Sequence, residues 1–261
     1  ITHVVGHDAF SFNTFVTDTQ DTYEIILGQA RVKTSVSHTV TTGVDGSGSI
    51  ADSTLTYAYD NVARLTSATA GITHVVGHDA FSFNTFITDT QDTYEIILGQ
   101  ARVKTSVSHT VTTGVDGSGS IADSTLTYAY DNVARLTAAT AGVTHVVGHD
   151  AFSFNTFVTD TQDTYEIILG QARVKTSVSH TVTTGVDGSG SVADSTLTYA
   201  YDNVARLTAA TAGVTHVVGH DAFSFNTFIT DTQDTYEIIL GQARVKTSVS
   251  HTVTTGVDGS G

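Results

Sequence analysis

Three groups of side chains have the types and spacing that chemistry asks for. His3, His7 and Asp8 form a His-x-x-x-His-Asp cluster. Two His four apart on a helix can share a metal ion. On a strand they point the same way but lie roughly 13 Å apart, since each residue rises about 3.3 Å. They then chelate one ion only if Gly6 bends the chain, and stacked copies would instead line up as His ladders. Asp45-Gly46-Ser47-Gly48-Ser49, followed by Asp52, sets oxygen side chains at alternate positions of a glycine-rich loop. A calcium ion needs about six to eight oxygens at close range. Asp45, Ser47, Ser49 and Asp52 are therefore calcium candidates, repeated at Asp116, Asp123, Asp187 and Asp194. The terminal Glu and the further acids of an EF-hand are missing, so the expected state is an ordinary Gly/Ser hairpin loop with no cofactor. Asp18, Asp21 and Glu24 form the third group, an acidic run that also suits a turn.

No catalytic arrangement emerges from these groups. Ser47 lies in Gly-Ser-Gly, too short for a nucleophile elbow. Lys33 with Glu24 would suit an internal isopeptide bond, but Lys33 falls on the polar side of its strand. The expectation is a protein that is not an enzyme.

What must position these residues is a repeat. Ile1 to Gly71 returns as 72–142 and 143–213, and a fourth copy covers 214–261. Only four positions vary: Ile1/Ile72/Val143/Val214, Val16/Ile87/Val158/Ile229, Ile50/Ile121/Val192 and Ser67/Ala138/Ala209. Every exchange keeps a small or β-branched side chain. So uniform an array builds length, a lattice or a many-valent surface, because each copy offers its neighbours the same faces. The sequence opens and closes within the repeat, as a stretch of a longer polymeric protein would.

Each complete copy carries seven acids (Asp8, Asp18, Asp21, Glu24, Asp45, Asp52, Asp60 in the first) against three bases (Arg31, Lys33, Arg64), and the chain has a net charge of −15. Phosphate binding needs clustered Lys and Arg, so a nucleic-acid partner is not expected. No apolar run is long enough to span a membrane. Cys, Pro, Met and Trp are absent, which excludes disulfides and thiolate metal sites.

Alternation with period two is the dominant local signal. Ala30, Val32, Thr34, Val36, His38, Val40 and Thr42 read as the buried face of one strand. Arg31, Lys33, Ser35, Ser37, Thr39 and Thr41 read as its polar face. Tyr23, Ile25 and Leu27 precede it across a Gly28-Gln29 hairpin. Phe10, Phe12, Thr14 and Val16 read as another strand, with Asp18-Thr19-Gln20-Asp21 as the turn after it. Gly43 to Gly48 reads as a hairpin loop into a strand near Ser49–Asp60, where Leu55, Tyr57 and Tyr59 share a face. Asp60-Asn61-Val62 turns into a last short strand, and Thr2–Val5 is a further one. Thirteen Thr per copy suit strands with a wet face, and exposed ones could carry O-linked sugar. The fold expected is all-β, with tandem antiparallel hairpins forming a continuous spiralling sheet or tube. A string of small β-sandwich domains is the alternative.

Tyr57-Ala58-Tyr59-Asp60-Asn61-Val62-Ala63-Arg64-Leu65, closing at Gly71, resembles the motif of the RHS/YD-repeat family, Tyr-x-Tyr-Asp-x-x-Gly-Arg-Leu followed by a glycine. It covers about a quarter of each copy and returns at Tyr128, Tyr130, Asp131, Arg135 and Leu136, and again at Tyr199, Tyr201, Asp202, Arg206 and Leu207. Ala63 stands where the family has glycine, so the turn either lacks a positive φ or strains an alanine into it. The resemblance implies hairpins laid side by side in secreted shells and large surface proteins, with structural roles for Tyr57, Tyr59, Asp60, Arg64 and Leu65.

These readings converge on a structural repeat protein of an extracellular or cell-surface filament, stalk or fibre, bacterial by the resemblance. Its expected partners are identical chains. The alternatives are a repeat adhesin that binds a surface ligand or carbohydrate, and a shell segment of a YD-repeat toxin.

Overall fold

The structure is a computed structural model, and it describes residues 1–7, 13–239 and 241–258. Strands dominate it, in two compact units, Ile1–Arg135 and Leu136–Gly261.

The first unit contains β1 (Thr2–His7), β2 (Asn13–Ile26), β3 (Gln29–Gly43), β4 (Gly48–Tyr59), β5 (Leu65–Ala70), β6 (Thr73–His78), β7 (Asn84–Ile97), β8 (Gln100–Gly114) and β9 (Gly119–Tyr130). They pair antiparallel in chain order, with β5 and β6 end to end in the single lane between β4 and β7. The second unit contains β10 (Leu136–His149), β11 (Asn155–Ile168), β12 (Gln171–Gly185), β13 (Gly190–Tyr201), β14 (Leu207–His220), β15 (Asn226–Ile239) and β16 (Gln242–Gly256), paired in the same way. Copies therefore continue one another's sheet inside each unit. The β4 strand of the first copy pairs β6 of the second, and β14 runs unbroken through Gly213. Small sandwiches on a string do not form.

Glycine and aspartate place the turns. Leu27 and Gly28 both take positive φ (50° and 75°) between β2 and β3, as a two-residue I′ hairpin requires. The loop sits one residue earlier than Gly28-Gln29, because such a turn needs two left-handed residues and Gly28 supplies the second. Gly43 donates its N–H to the Ser47 carbonyl at 2.8 Å and closes the loop into β4, with Gly46 at φ 84°.

Three expectations change. Asp18–Asp21 is no turn but the middle of β2, paired along its length with β3 and, at Asp18 and Thr19, with β1 as well. Phe10 and Phe12 lie outside the described residues. Their equivalents Phe81 and Phe83 lie in a tight turn around Ala80–Ser82, not on a strand, and so do Phe152, Phe154, Phe223 and Phe225. The long alternation of β3 is also broken. Thr22 faces Thr34 while Tyr23 faces Val32, which leaves Lys33 as an unpaired bulge residue. Val32 and Thr34 thereby fall on opposite faces.

The face expected to be buried is the more open one. Val36 is 47% exposed, whereas Ser35, Ser37, Thr39 and Thr41 are partly covered. Their face, called the back here, carries Phe15, Leu55, Tyr57 and Tyr59, which shield the smaller side chains beside them. On that face the Phe15 ring lies across its cross-strand partner Gly6, where any Cβ would overlap it. Thr17 and Thr39 share a hydrogen bond there at 2.9 Å, as do Ser37 and Ser53 at 2.7 Å. Among the described residues the buried apolar side chains are Ala63, Ala68, Ala134 and Ala205 alone.

Two measurements test this architecture. Leu27, Leu98 and Leu169 are strained at φ near 50° while 73%, 72% and 73% exposed. Replacing all three by Asn should raise unfolding stability by roughly 0.5–1 kcal/mol per copy, read from denaturant midpoints. In hydrogen exchange on chains of one, two and three copies, the middle copy of three should be far better protected than a lone copy. Equal protection would favour independent beads.

Candidate functional site

The front face assembles a pattern that no single segment announces. Strand by strand in the first unit, His3 faces Asp18, Asp18 faces His38, His38 faces Asp52, Asp52 faces His74, His74 faces Asp89, Asp89 faces His109 and His109 faces Asp123. The second unit repeats it from His145 through Asp160, His180, Asp194, His216 and Asp231 to His251. Imidazole and carboxylate thus alternate across the strands of each unit, one per lane. Every second pair is joined directly, Nδ1–H donating to a carboxylate oxygen. The distance is 2.6 Å for His38–Asp52, His74–Asp89 and His109–Asp123. The side chains are about half exposed, 49% for His74 and 45% for Asp89.

Neutral rows run parallel to it on the same face. Val16, Val40, Ile50, Val76, Ile87, Val111 and Ile121 succeed one another two residues along each strand. Two of the four variable positions, those of Val16 and Ile50, belong to this row, and both exchange only Val and Ile. On the far side, Thr22, Thr34, Thr56, Thr69, Thr93, Thr105 and Thr127 form a threonine row. Thr22, Thr34, Thr56 and Thr69, four of the thirteen Thr in the first copy, stand in that row.

The sequence candidates distribute over this frame. His3 joins a His/Asp ladder, not a His ladder, because the hairpin register puts Asp18 opposite it. Asp8 lies outside the described residues. In the second copy, His78 Nδ1–H donates to the Asp79 carbonyl at 3.0 Å, and the Asp79 carboxylate accepts from the Asn84 N–H and side-chain amide. Asp45 and Ser47 do meet, since Asp45 accepts from the Ser47 N–H at 2.9 Å and its hydroxyl at 2.6 Å. Ser49 lies on the back face and Asp52 on the front, where it holds His38. The four calcium candidates are not brought together. Asp18 and Asp21 point to opposite faces, and Glu24 stands across from Arg31. Lys33 is exposed at its bulge. Among the described residues no group of three or more His, Cys, Asp or Glu could hold a metal ion.

The Tyr57–Leu65 segment behaves as one turn. Tyr59 donates its hydroxyl to the Val32 carbonyl at 3.0 Å. Asp60 accepts from the Val62 and Arg64 N–H groups at 3.0 and 2.8 Å and from Arg64 Nε at 2.7 Å. The Arg64 N–H, more than any other donor, holds the Asp60 carboxyl below its usual range. Ala63 does take the glycine conformation, at φ 62°, with its methyl buried. Tyr57 shares the back face with Tyr59, and burial first, then Tyr59 and Asp21, push its phenol up.

A second feature was missed from sequence. Phe81 is 81% exposed at φ 67° and Ser82 follows at φ 56°. Phe83 is 59% exposed, its ring centroid 6.1 Å from that of Phe81. The pair returns at Phe152/Phe154 and Phe223/Phe225. Strain displaying aromatic rings is held by the Asp79–Asn84 bonds and by the Val115 N–H on the Phe83 carbonyl. The available signal was the Asp-Ala-Phe-Ser-Phe-Asn run, bracketed by two turn formers.

No family model matches the chain, and a search of curated proteins finds no match either.

The turn carboxylates define an acid limit. Asp45, Asp60 and Asp79 are all held low by hydrogen bonds, the first chiefly by Ser47 and the last by Asn84. A carboxyl lowered on folding gives stability that is present above its unfolded value, about pH 4, and is lost as pH falls through the folded one. Thermal midpoints should therefore hold at neutral pH and fall below about pH 4. Asp60→Asn with Asp131→Asn and Asp202→Asn should lower the neutral midpoint and flatten that acid decline. A chelator should leave the midpoint unchanged.

Proposed function

We propose that the chain is part of a structural repeat protein building an extracellular filament, stalk or surface fibre by self-association. The observation that carries this reading is the frame itself. A strand array that extends from copy to copy, buries only four alanines among the described apolar residues and presents the same rows on every lane is suited to building length and surface. Chemistry on a small molecule would need a singular site, whereas this arrangement is repetitive along its length. No helix among the described residues is long and apolar enough to cross a membrane. A cysteine-free chain suits oxidising surroundings outside the cell.

The exposed Phe81/Phe83 pairs, each with its first ring on strained backbone, support a second reading, a repeat adhesin using one copy of a sticky element per 71 residues for avidity. The Asp60-centred turn is compatible with the RHS/YD resemblance, and with it a shell segment, although near-identical copies give no varied curvature for closing a shell.

Electron microscopy with sedimentation on the native material separates these. Uniform long fibres are expected. Short monomeric particles would overturn the filament in favour of the adhesin, and closed particles would favour the shell.

A further inference from the structure

We propose that the front face docks a second copy of this chain, face to face, about a two-fold axis parallel to the strands. This deepens the self-associating reading above and rests on it.

The molecule has area to bury. The chain exposes 15435 Å² at 27.4 kDa. A compact monomer of that mass exposes roughly 11,000 Å². The excess is larger than the roughly 1,600 Å² that a standard interface buries. The open apolar row supplies the core of such an interface. Ile50 is 45% exposed, Val76 42%, Ile87 44% and Ile121 45%. The groove floored by Val40, Ile50 and Val76 is bounded by Gly48 and His78.

Charge is complementary about the same axis. A two-fold axis along the strands, placed between two neighbouring lanes, exchanges odd lanes with even ones and keeps every row on itself. Apolar side chains then meet apolar ones, and threonines meet threonines. Because imidazole and carboxylate alternate lane by lane, every His of one copy meets an Asp of the other, wherever along the row the axis falls. Among the described residues, the His/Asp row holds the only ionisable side chains from the threonine row to the apolar row. Asp45, Asp60 and Asp79, which contribute to the net charge of −15, lie in turns at the strand ends. The back face offers no such match. There Asp92 already hides a carboxylate oxygen without a partner, and its row continues through Ser106 and Leu126 with no cation.

Sedimentation equilibrium of the full chain across a concentration series, with far-UV circular dichroism as the folding check, tests the proposal. Val40→Thr, Val111→Thr and Val182→Thr together keep β-branching and should weaken association about tenfold or more. Asp52→Asn, Asp123→Asn and Asp194→Asn together should weaken it too. That direction is diagnostic, because relief of general repulsion between acidic chains would strengthen association. Ala51→Thr, Ala122→Thr and Ala193→Thr on the back face should leave it unchanged. In the unaltered chain, diethyl pyrocarbonate labelling of His38, His109 and His180 should slow as concentration rises. Association undiminished by the Val and Asp sets, or labelling independent of concentration in an associating chain, would overturn the docking face and leave the structural reading standing. A chain monomeric at every concentration would overturn both.

Discussion

The antiparallel backbone ladder is the constraint on which everything else in this protein depends. The described strands of each unit pair side by side in a single layer, and only four alanines are buried among the described apolar residues. Hydrophobic burial, which dominates folding in most domains, is here limited to side chains lying along one face of their own sheet. Cohesion therefore comes from strand pairing, from the Thr17–Thr39 and Ser37–Ser53 hydroxyl pairs, and from rings such as Phe15 lying over a cross-strand glycine. A structure held together rung by rung gains stability by adding rungs, which is why copying the unit is the natural way to strengthen it.

Half of the pattern was open to sequence reading and half was not, for a definite reason. The hairpins at Gly28 and Gly43–Gly48 and the turn at Asp60 announce themselves, because positive φ and amide capping are local demands that glycine and aspartate meet. The Asp18–Asp21 segment misleads by the same logic. Aspartate in mid-strand has the same local signature as aspartate in a turn, and only its partners His3 and His38 decide between them. One of those pairings is legible once its hairpin is placed, since His38 and Asp52 stand equally far from Asp45. The other is not, because reflection about Leu27-Gly28 sets Asp18 opposite Ser37, and only the unpaired Lys33 shifts the register by one residue to His38. The Lys33 bulge defeated the face assignment, since one unpaired residue reverses the facing of everything beyond it. The Phe81 turn stayed hidden because alternating aromatics read equally well as a strand.

The acids divide into two populations with different work. Asp45, Asp60 and Asp79 hold turns, and they hold them against strain. Ala63 and the Phe81–Ser82 pair occupy left-handed backbone that costs each such residue roughly 1–2 kcal/mol. Such geometry persists where hydrogen bonds over-determine it, and each of these turns has a carboxylate receiving two or more donors. Asp18 and Asp52 serve no turn. They stand in mid-strand on an open face, where strand formation alone would favour Thr or Val. Turn geometry leaves them unexplained, and the His on either side of each supplies the explanation.

Parity ties the repeat to that face. One copy contributes four lanes to the ladder, His3, Asp18, His38 and Asp52, before His74 begins the next. An odd number of lanes would set His beside His at a junction, and would also reverse the strand direction of the following copy. The end-to-end arrangement of β5 and β6 is what keeps the number even, because two strands fill one lane. Gly71 sits at their junction and donates its N–H to the Thr54 carbonyl at 2.8 Å, so β4 reads them as one continuous neighbour. The same device gathers Leu27-Gly28, the Asp60 turn and Leu98-Gly99 at one end of the first unit's strands, with the glycine-rich loop and the phenylalanine turn at the other. A unit with an even number of lanes is thus the condition under which copies can be added while the charge alternation, the apolar row and the ends of the sheet all stay in phase.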